Sequence, residues 1–268
     1  MRIDLAGRRV GYEDSEGGGT PLVLLHGFPL DRSVWGAQVK SLAGVARVIA
    51  PDLRGFGESA LEAAAGDDAV SIEGYAQDTA RLLDALGIES AIVAGVSMGG
   101  YVALAFHRLF PRRTRALVLV DTRSTPDSPA ARSARDEAIT LVRERGTAAL
   151  ATRMAPQLVA DTSDPRAVEL RARIDALMAA QSPDGVAAAL RALRDRPDAT
   201  PGLRSIAVPV LVVTGADDTI VTPEESRGLA AAIPGAELVV IPGAAHLPAF
   251  ERPDAFDAAV QPFLARCA

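Results

Sequence analysis

Short, predominantly apolar runs recur along the chain, and helical patterns separate most of them. Runs of this length are typical of parallel strands that are buried on both faces of a sheet. The alternation predicts an α/β fold with a mostly parallel, doubly wound sheet and helices on both faces. The runs are Leu22–Leu25, Arg47–Ala50, Ala91–Ala94, Ala116–Val120, Val208–Val213 and Glu237–Ile241.

Two shorter strand patterns open the chain. Arg2–Leu5 and Arg9–Tyr12 flank a turn at Gly7, and together they predict an antiparallel hairpin. Further along, Tyr75–Leu86 has the apolar spacing of a helix and is followed by Gly87, a residue type that commonly ends helices. These elements extend the predicted sheet and cover one of its faces.

The segment 123–205 breaks the alternation, because it shows no strand pattern and reads as about four helices. It contains no Phe, Tyr, Trp or His, and Gly146 and several prolines (Pro129, Pro156, Pro165, Pro183 and Pro197) punctuate it. Ordinary crossover helices are the alternative, but a crossover between parallel strands needs one helix only. We therefore expect 1–122 and 206–268 to form the core and 123–205 to form a helical cap over one end of the sheet.

Composition excludes several classes of function. A length of 268 residues suffices for one large core with an insertion. The net charge of -6 argues against a general affinity for nucleic acid. No apolar run reaches the roughly 18 residues of a membrane span, and MRIDLAGRRV is no signal peptide, so we expect a cytoplasmic protein without membrane attachment. With Cys267 as the only cysteine and three histidines, we expect neither an intrachain disulfide nor a metal site.

A serine between two glycines stands where one buried strand must turn into a helix, in AIVAGVSMGGYVALAFHRLFP (91–111). Gly95 to Gly99 fits the pattern G-x-S-x-G, in which a strained turn projects the serine hydroxyl from the sheet. Ligands of open α/β sheets bind at the carboxyl ends of the strands, and the amides at a helix N-terminus stabilise negative charge. We therefore predict that Ser97 is a nucleophile.

A serine hydroxyl needs a base, and the chain offers three histidines. His107 follows Ser97 by ten helical residues, about 15 Å at ~1.5 Å per residue, which is too far. His26 lies in HGFPL directly after a strand, where we expect it to brace the loop by hydrogen bonding. His246 lies in a loop just past the strand pattern 237–241 and is the predicted base.

The acid that orients this base should also follow a strand. Asp217 and Asp218 follow the strand pattern 208–213, and Asp121 follows another. Any one of them could instead cap a helix or close a turn. We favour Asp218, because Ser97, Asp218 and His246 then stand in the chain order of G-x-S-x-G hydrolases.

Attack on a carbonyl creates an oxyanion, which requires preorganised N–H donors. The amide of Met98, directly after the nucleophile, is the first predicted donor. The second is the amide of Phe28, since Gly27 lets the backbone turn in closely and Pro29 has no N–H.

Five motifs together resemble the α/β-hydrolase family. In that family the acid usually stands three residues after the glycine of the GADD-like motif, which implies Asp218. The resemblance also implies a cap at 123–205, and structural roles for Arg54, Gly55 and Gly57. The motifs are HGFP (26–29), PDLRGFGES (51–59), GVSMGG (95–100), GADDTIVTP (215–223) and GAAHLPAFERP (243–253).

Within the family, the SMGG elbow and the short cap look most like aryl esterases, cofactor-free haloperoxidases or perhydrolases, and 3-oxoadipate enol-lactonases. Ser97 stands where dehalogenases carry an aspartate, which argues against dehalogenation. Val96 replaces the histidine that usually precedes the serine, which changes the wall of the site and not the triad. The resemblance implies hydrolysis of small carboxylic esters or lactones through an acyl-enzyme, without a metal or organic cofactor.

The substrate pocket is less constrained by the sequence. Leu30 and Trp35 are candidates for its wall, and Trp35 is an equally good candidate for plain core. A perhydrolase, a C–C hydrolase or a lyase could use the same triad, and a slow-turnover ligand receptor could share the fold. The expected partner is a small-molecule substrate, and the oligomeric state stays open. Phe28, Met98, Met154 and Met178 are further candidates for the pocket wall.

Overall fold

Eight strands form one sheet within the residues that the computed structural model describes, which are 1–5, 7–59, 61, 70–160 and 165–267. The strands are Arg2–Asp4 (β1), Arg9–Asp14 (β2), Pro21–Leu25 (β3), Arg47–Pro51 (β4), Ala91–Val96 (β5), Thr114–Val120 (β6), Val210–Gly215 (β7) and Glu237–Ile241 (β8). Their order across the sheet is β1-β2-β4-β3-β5-β6-β7-β8. β2 pairs antiparallel with β1 and with β4, and the other neighbours are parallel, so the predicted mostly parallel sheet is confirmed.

The strand boundaries differ from the predicted ones by one or two residues. The hairpin places Ile3 opposite Val10, with Gly7 at φ +85° in the turn. β5 and β6 extend past their apolar runs because pairing uses backbone groups, whatever the side chain. β7 begins after Pro209, two residues later than predicted, since proline has no N–H to donate to a ladder.

Helices lie on both faces of the sheet. Ser71 accepts a hydrogen bond from the Gly74 amide and so starts α2 three residues before the predicted position. No helix in the described part of the chain is long and apolar enough to cross a membrane. The α-helices are Gly36–Ser41 (α1), Ile72–Ala85 (α2), Met98–Leu109 (α3), Pro129–Arg145 (α4), Thr147–Leu158 (α5), Pro165–Ala179 (α6), Pro183–Arg194 (α7), Pro223–Ala232 (α8), Pro248–Glu251 (α9) and Pro253–Arg266 (α10).

Alternate residues of each central strand enter two separate cores, because successive side chains point to opposite faces. Val93 and Leu117 pack in the core beneath α2, α3 and α8. Ile92 packs in the core beneath α1 and α10 on the other face. There Trp35 and Phe256 are fully buried, with ring centroids 5.9 Å apart. Burial on both faces explains why these strands read as continuous apolar runs.

Between β6 and β7, the described residues form four α-helices, α4 to α7, as the segment 123–205 predicts. α4 packs against α7, and α5 packs against α6. Pro129, Pro165 and Pro183 each open a helix, where a missing N–H costs nothing. Pro156 differs from the prediction, because it lies inside α5, near the end, and does not break the helix.

Contacts around the start of α7 help to tie this helical insertion to the core. Gly185 at the start of α7 lies directly against Gly55, so closely that a β-carbon at 185 would overlap the Gly55 carbonyl. Beside it, the Gln181 side chain accepts a hydrogen bond from the Gly57 amide at 2.9 Å and donates to the Asp31 carboxylate at 3.0 Å. The loop 52–59 is therefore part of the surface on which the insertion packs.

We predict that Gly185→Ala destabilises the protein by about 1–3 kcal/mol. The new methyl group would overlap the Gly55 backbone, which cannot move aside as a flexible side chain could. Gly228→Ala is the matched control, since Gly228 lies inside α8 with open space around it. That variant should be neutral or more stable by about 0.5–1 kcal/mol. Thermal unfolding of both variants checks this, and equal melting temperatures would contradict the close contact.

Candidate active site

Ser97 occupies a strained turn between β5 and α3. Its backbone lies at φ 53° and ψ -113°, which non-glycine residues rarely adopt. A β-carbon at Gly95 would overlap the Gly99 carbonyl, and one at Gly99 would overlap the Leu25 carbonyl. The two glycines of G-x-S-x-G are therefore required by the closeness of the backbones around the serine.

Two neighbouring segments hold the Ser97 backbone. Its N–H donates to the Val120 carbonyl at 2.9 Å, and its carbonyl accepts from the Thr122 hydroxyl at 2.9 Å. On the other side, the loop after β3 comes so close that a β-carbon at Gly27 would lie 3.5 Å from Cβ of Ser97. The turn is thus held between the ends of β3 and β6.

The two amides predicted to bind an oxyanion border this turn. Met98 is the first residue of α3, and its N–H, like others in a first helical turn, has no intrahelical acceptor. Among the described residues, neither the Met98 nor the Phe28 amide donates to a protein acceptor. Both N–H groups therefore remain available to a ligand.

His26 is fully buried and braces the loop that carries Phe28. Its Nε2 accepts from the Leu53 amide at 2.9 Å, which leaves Nδ1 as the protonated nitrogen, donating to the Gly27 carbonyl at 2.9 Å. Burial lowers the pKa of this imidazole, although the Gly27 hydrogen bond and nearby carboxylates oppose the shift. With both nitrogens engaged, a neutral His26 fixes the loop and has no free basic nitrogen.

His246 and Asp218 are joined by a buried hydrogen bond of 2.7 Å between Nδ1 and Oδ2. Each side chain is at most 3% exposed. The other carboxylate oxygen of Asp218 accepts the amides of Ile220 at 2.7 Å and Val221 at 3.1 Å. Burial raises the pKa of the Asp218 carboxyl, but the hydrogen bond and charge of His246, with the other hydrogen bonds, outweigh burial and bring the pKa below its ordinary value.

The two rival aspartates occupy different surroundings. Asp217 is exposed, and its backbone amide donates to the Ala244 carbonyl at 2.9 Å. Asp121 is fully buried at the end of β6 and accepts hydrogen bonds at Oδ1 from the Thr214 hydroxyl at 2.7 Å and the Gly215 amide at 3.1 Å. Gly215, whose amide binds Asp121, accepts the Asp218 amide at 3.4 Å, so the two carboxyls lie side by side, and the charge of Asp218 raises the pKa of Asp121. The sequence presented Asp121 and Asp218 as competing candidates for the acid, whereas the structure places their side chains next to each other.

Glu251 is a part of the site that the sequence reasoning missed. Its carboxylate is buried and accepts the amides of Ala245 at 2.9 Å and Leu247 at 3.3 Å, one on each side of His246. It also accepts the amide of Ala160, in the insertion, at 2.7 Å. Burial raises the pKa of Glu251 in spite of these hydrogen bonds. The sequence shows only an acid five residues after the histidine, within HLPAFERP, and nothing in that pattern marks it as buried.

The predicted pocket-wall residues lie deep in the core. Leu30 and Trp35 are at most 1% exposed. Trp35 lines a void of about 10 Å³ together with Val96 and Leu247, the neighbours of Ser97 and His246. Trp35 thus lies beside the site while packing as core, and contact of either residue with a substrate stays a prediction.

His107 lies near the C-terminal end of α3, half-buried, on a groove of about 580 Å³ between α3 and the segment 196–206. Burial lowers the pKa of its imidazole. Ser97, Asp218 and His246 are absent from the lining of this groove among the described residues. Across all the residues that the structure describes, no group of three His, Cys, Asp or Glu side chains is placed to hold a metal ion.

The family profile described as "alpha/beta hydrolase fold" matches residues 20–253. The chain therefore belongs to the α/β-hydrolase family, as its motifs predict. Its neighbours of known structure include a thermophilic esterase from Thermogutta terrifontis with malate bound, at 38% identity and a TM-score of 0.94, covering 100% of this chain and 99% of that one.

Two further relatives show the range of names in the family. An enol-lactonase from Burkholderia xenovorans is 31% identical with a TM-score of 0.88, covering 98% of this chain and 99% of that one. The dihydrolipoyllysine-residue acetyltransferase component of an acetoin cleaving system from Pseudomonas putida is 35% identical over 92% of this chain. The match spans 64% of that relative's length.

We predict that Glu251→Ala lowers thermal stability strongly, because it leaves three buried amides without an acceptor, at about 1–3 kcal/mol for each unsatisfied group. In a chain of this size each kcal/mol corresponds to about 2–4 °C in melting temperature. Glu224→Ala is the matched control, since that side chain is 84% exposed on α8. Equal melting temperatures for the two variants would contradict the role of Glu251.

Proposed function

We propose that the chain is a serine hydrolase that cleaves small carboxylic esters or lactones. In this proposal Ser97 is the nucleophile, His246 the general base and Asp218 the acid that orients the base. The observation that carries the proposal is the buried Asp218–His246 hydrogen bond at the edge of the sheet that also carries the strained turn of Ser97. The relatives named as an esterase and an enol-lactonase support the same class of reaction.

The tautomer of His246 follows from its hydrogen bond. An ionised Asp218 accepts the proton on Nδ1, which leaves Nε2 as the basic nitrogen for the Ser97 hydroxyl. As Ser97 attacks the carbonyl carbon, its proton moves to Nε2, and the Asp218 carboxylate stabilises the resulting imidazolium. The amides that hold Asp218 keep this carboxylate fixed during the transfer.

Negative charge develops on the carbonyl oxygen during attack. The Phe28 and Met98 amides, which have no acceptor of their own among the described residues, would donate to this oxygen. The imidazolium then protonates the leaving alcohol, and the acyl group stays on Ser97. Water activated by His246 attacks the acyl-enzyme and frees the acid, so the cycle needs no metal or organic cofactor.

The helical segment 123–205 would act as a cap over the site, with 1–122 and 206–268 as the core. Support comes from the contacts of Gly185 with Gly55 and of the Ala160 amide with Glu251, which bring the insertion to the loops around the site. Leu30 and Trp35 would form the apolar wall behind Ser97, which favours a small acyl group. The partner in this proposal is a small-molecule ester or lactone.

Steady-state turnover of p-nitrophenyl esters of graded acyl length and of small lactones tests the proposal. Fast turnover of short acyl groups is the expected result, and Ser97→Ala should abolish it while the fold survives. His246→Ala should lose activity comparably. His107→Ala is the matched control, since His107 lies on the separate groove and its loss should leave most activity. Stoichiometric binding with almost no turnover would instead favour a receptor.

We predict that Asp218→Asn lowers kcat by about 10³–10⁴, because an amide cannot hold the imidazole in the required tautomer or stabilise its positive charge. Asp217→Asn should cost about tenfold or less, since that exposed side chain acts only on the local turn. Turnover and melting temperature are measured for both variants. A large loss at Asp217 with a nearly silent Asp218→Asn would reassign the acid.

A further inference from the structure

The segment 120–122 lies against two members of the proposed triad, Ser97 and Asp218. The Val120 carbonyl and the Thr122 hydroxyl bind the backbone N–H and carbonyl of Ser97. Between them, the Asp121 side chain points to the end of β7, where its carboxyl meets that of Asp218. One short piece of chain thus touches the nucleophile through its backbone and the acid through a side chain.

We propose that Asp121 is a positioning residue that stays a neutral carboxylic acid and donates a hydrogen bond to the Asp218 carboxylate. The inference rests on the proposed triad, because it assigns Asp218 the charge that faces His246. It adds a fourth residue, which follows β6, to the three residues of the proposed triad.

Hydrogen-bond geometry requires the proton to lie between the two carboxyls. Oδ1 of Asp121 accepts from the Thr214 hydroxyl at 2.7 Å and the Gly215 amide at 3.1 Å, whereas Oδ2 meets only the same amide, at 3.4 Å. Oδ2 is therefore the oxygen that is better placed to carry a proton. Asp218 accepts the Ile220 and Val221 amides at one oxygen and faces His246 at the other. Two adjacent carboxylates at full charge repel strongly, so one of the two carboxyls holds a proton. That carboxyl is Asp121, because the Nδ1–H of His246 and two amides stabilise the charge of Asp218.

The charged groups around Asp121 support this assignment. Asp218 approaches from the end of β7, with His246 beyond it, while Arg123 directs its guanidinium to the Ile220 carbonyl and to Glu225. Burial raises the pKa of Asp121 well above its ordinary value, and the charge of Asp218 raises it further, against the smaller lowering by its own donors.

The backbone at Asp121 allows the neutral acid to be imitated by an asparagine. Asp121 lies at φ 40°, one of the described non-glycine residues with positive φ. Asparagine tolerates this region about as well as aspartate does. Its amide can accept at Oδ1 and donate at Nδ2, so Asp121→Asn reproduces the neutral acid in shape, charge and hydrogen bonding.

Protonation can be tested without substrate, by following stability against pH. A carboxyl that is neutral when folded and ionised when unfolded loses stability as pH rises from its unfolded pKa, near 3.9, towards its higher folded pKa. The unfolding constant of the wild type should therefore rise, relative to that of Asp121→Asn, by about tenfold per pH unit in this window. Asp217→Asn measures the background effect of removing a carboxyl from this region. If the wild type instead becomes more stable relative to Asp121→Asn as the pH rises, the proposal is overturned.

Positioning is tested by activity and its pH profile. Asp121→Asn should retain kcat within about tenfold and leave the acid limb of the rate profile in place, whereas Asp121→Ala should lower kcat by about 10²-fold with little change in KM. If Asp121→Ala does not fold, the asparagine variant alone decides. A loss at Asp121→Asn as large as that at Asp218→Asn overturns the inference. If the wild type hydrolyses no ester or lactone, the proposed function fails while the stability slope still reports on the proton.

Discussion

The turn at Ser97 holds its backbone in a region that costs a non-glycine residue about 1–3 kcal/mol, and the surroundings of the turn must sustain that strain. They do so by close backbone approach, since glycines at 95 and 99 let the serine turn touch the carbonyls around it. Hydrogen bonds from the Ser97 N–H and to its carbonyl lock the turn against β6. Asp218 and His246 follow β7 and β8, and these strands run parallel to the strand before the turn, so all three residues follow strand ends at the same edge of the sheet.

Buried charge is the second constraint on the site. Asp121 follows β6 and Asp218 follows β7, so two carboxyls lie together in an interior that penalises ionisation. The hydrogen bond from His246 stabilises the charge of Asp218. Glu251 adds a third buried carboxyl, satisfied by amides that flank His246 and by one amide of the insertion. The position of the histidine loop and the seating of the insertion therefore depend on the same side chain.

Apolar runs and turn residues sufficed to predict the sheet, its mostly parallel order and the helical segment between its sixth and seventh strands. They did so because burial on both faces and strand-to-helix alternation leave a direct mark on the sequence. The pairing of Asp218 with His246 was also predicted, from chain order and strand ends. Pro156 was misread as a helix boundary, since the tertiary packing of α5 outweighs the local preference of proline.

The contacts of Asp121 and Glu251 could not be predicted in the same way. Both depend on loops that meet only after folding, and a single aspartate after a strand is equally typical of a cap or turn. Neither the 52–59 loop against α7 nor the amide of Ala160 against Glu251 has a periodic signature. Long-range polar contacts of this kind become visible only when the strand ends are placed side by side.

Reaction with a fluorophosphonate, which phosphonylates serine with loss of fluoride only when a base activates the hydroxyl, tests the central claim most directly. Intact mass should show one equivalent bound to the folded chain, and peptide mapping should place it on Ser97. Asp218→Asn should slow the labelling by orders of magnitude without unfolding the protein, and Ser97→Ala should abolish it. A folded wild type that stays unlabelled, or that carries the label at another residue, would contradict the account.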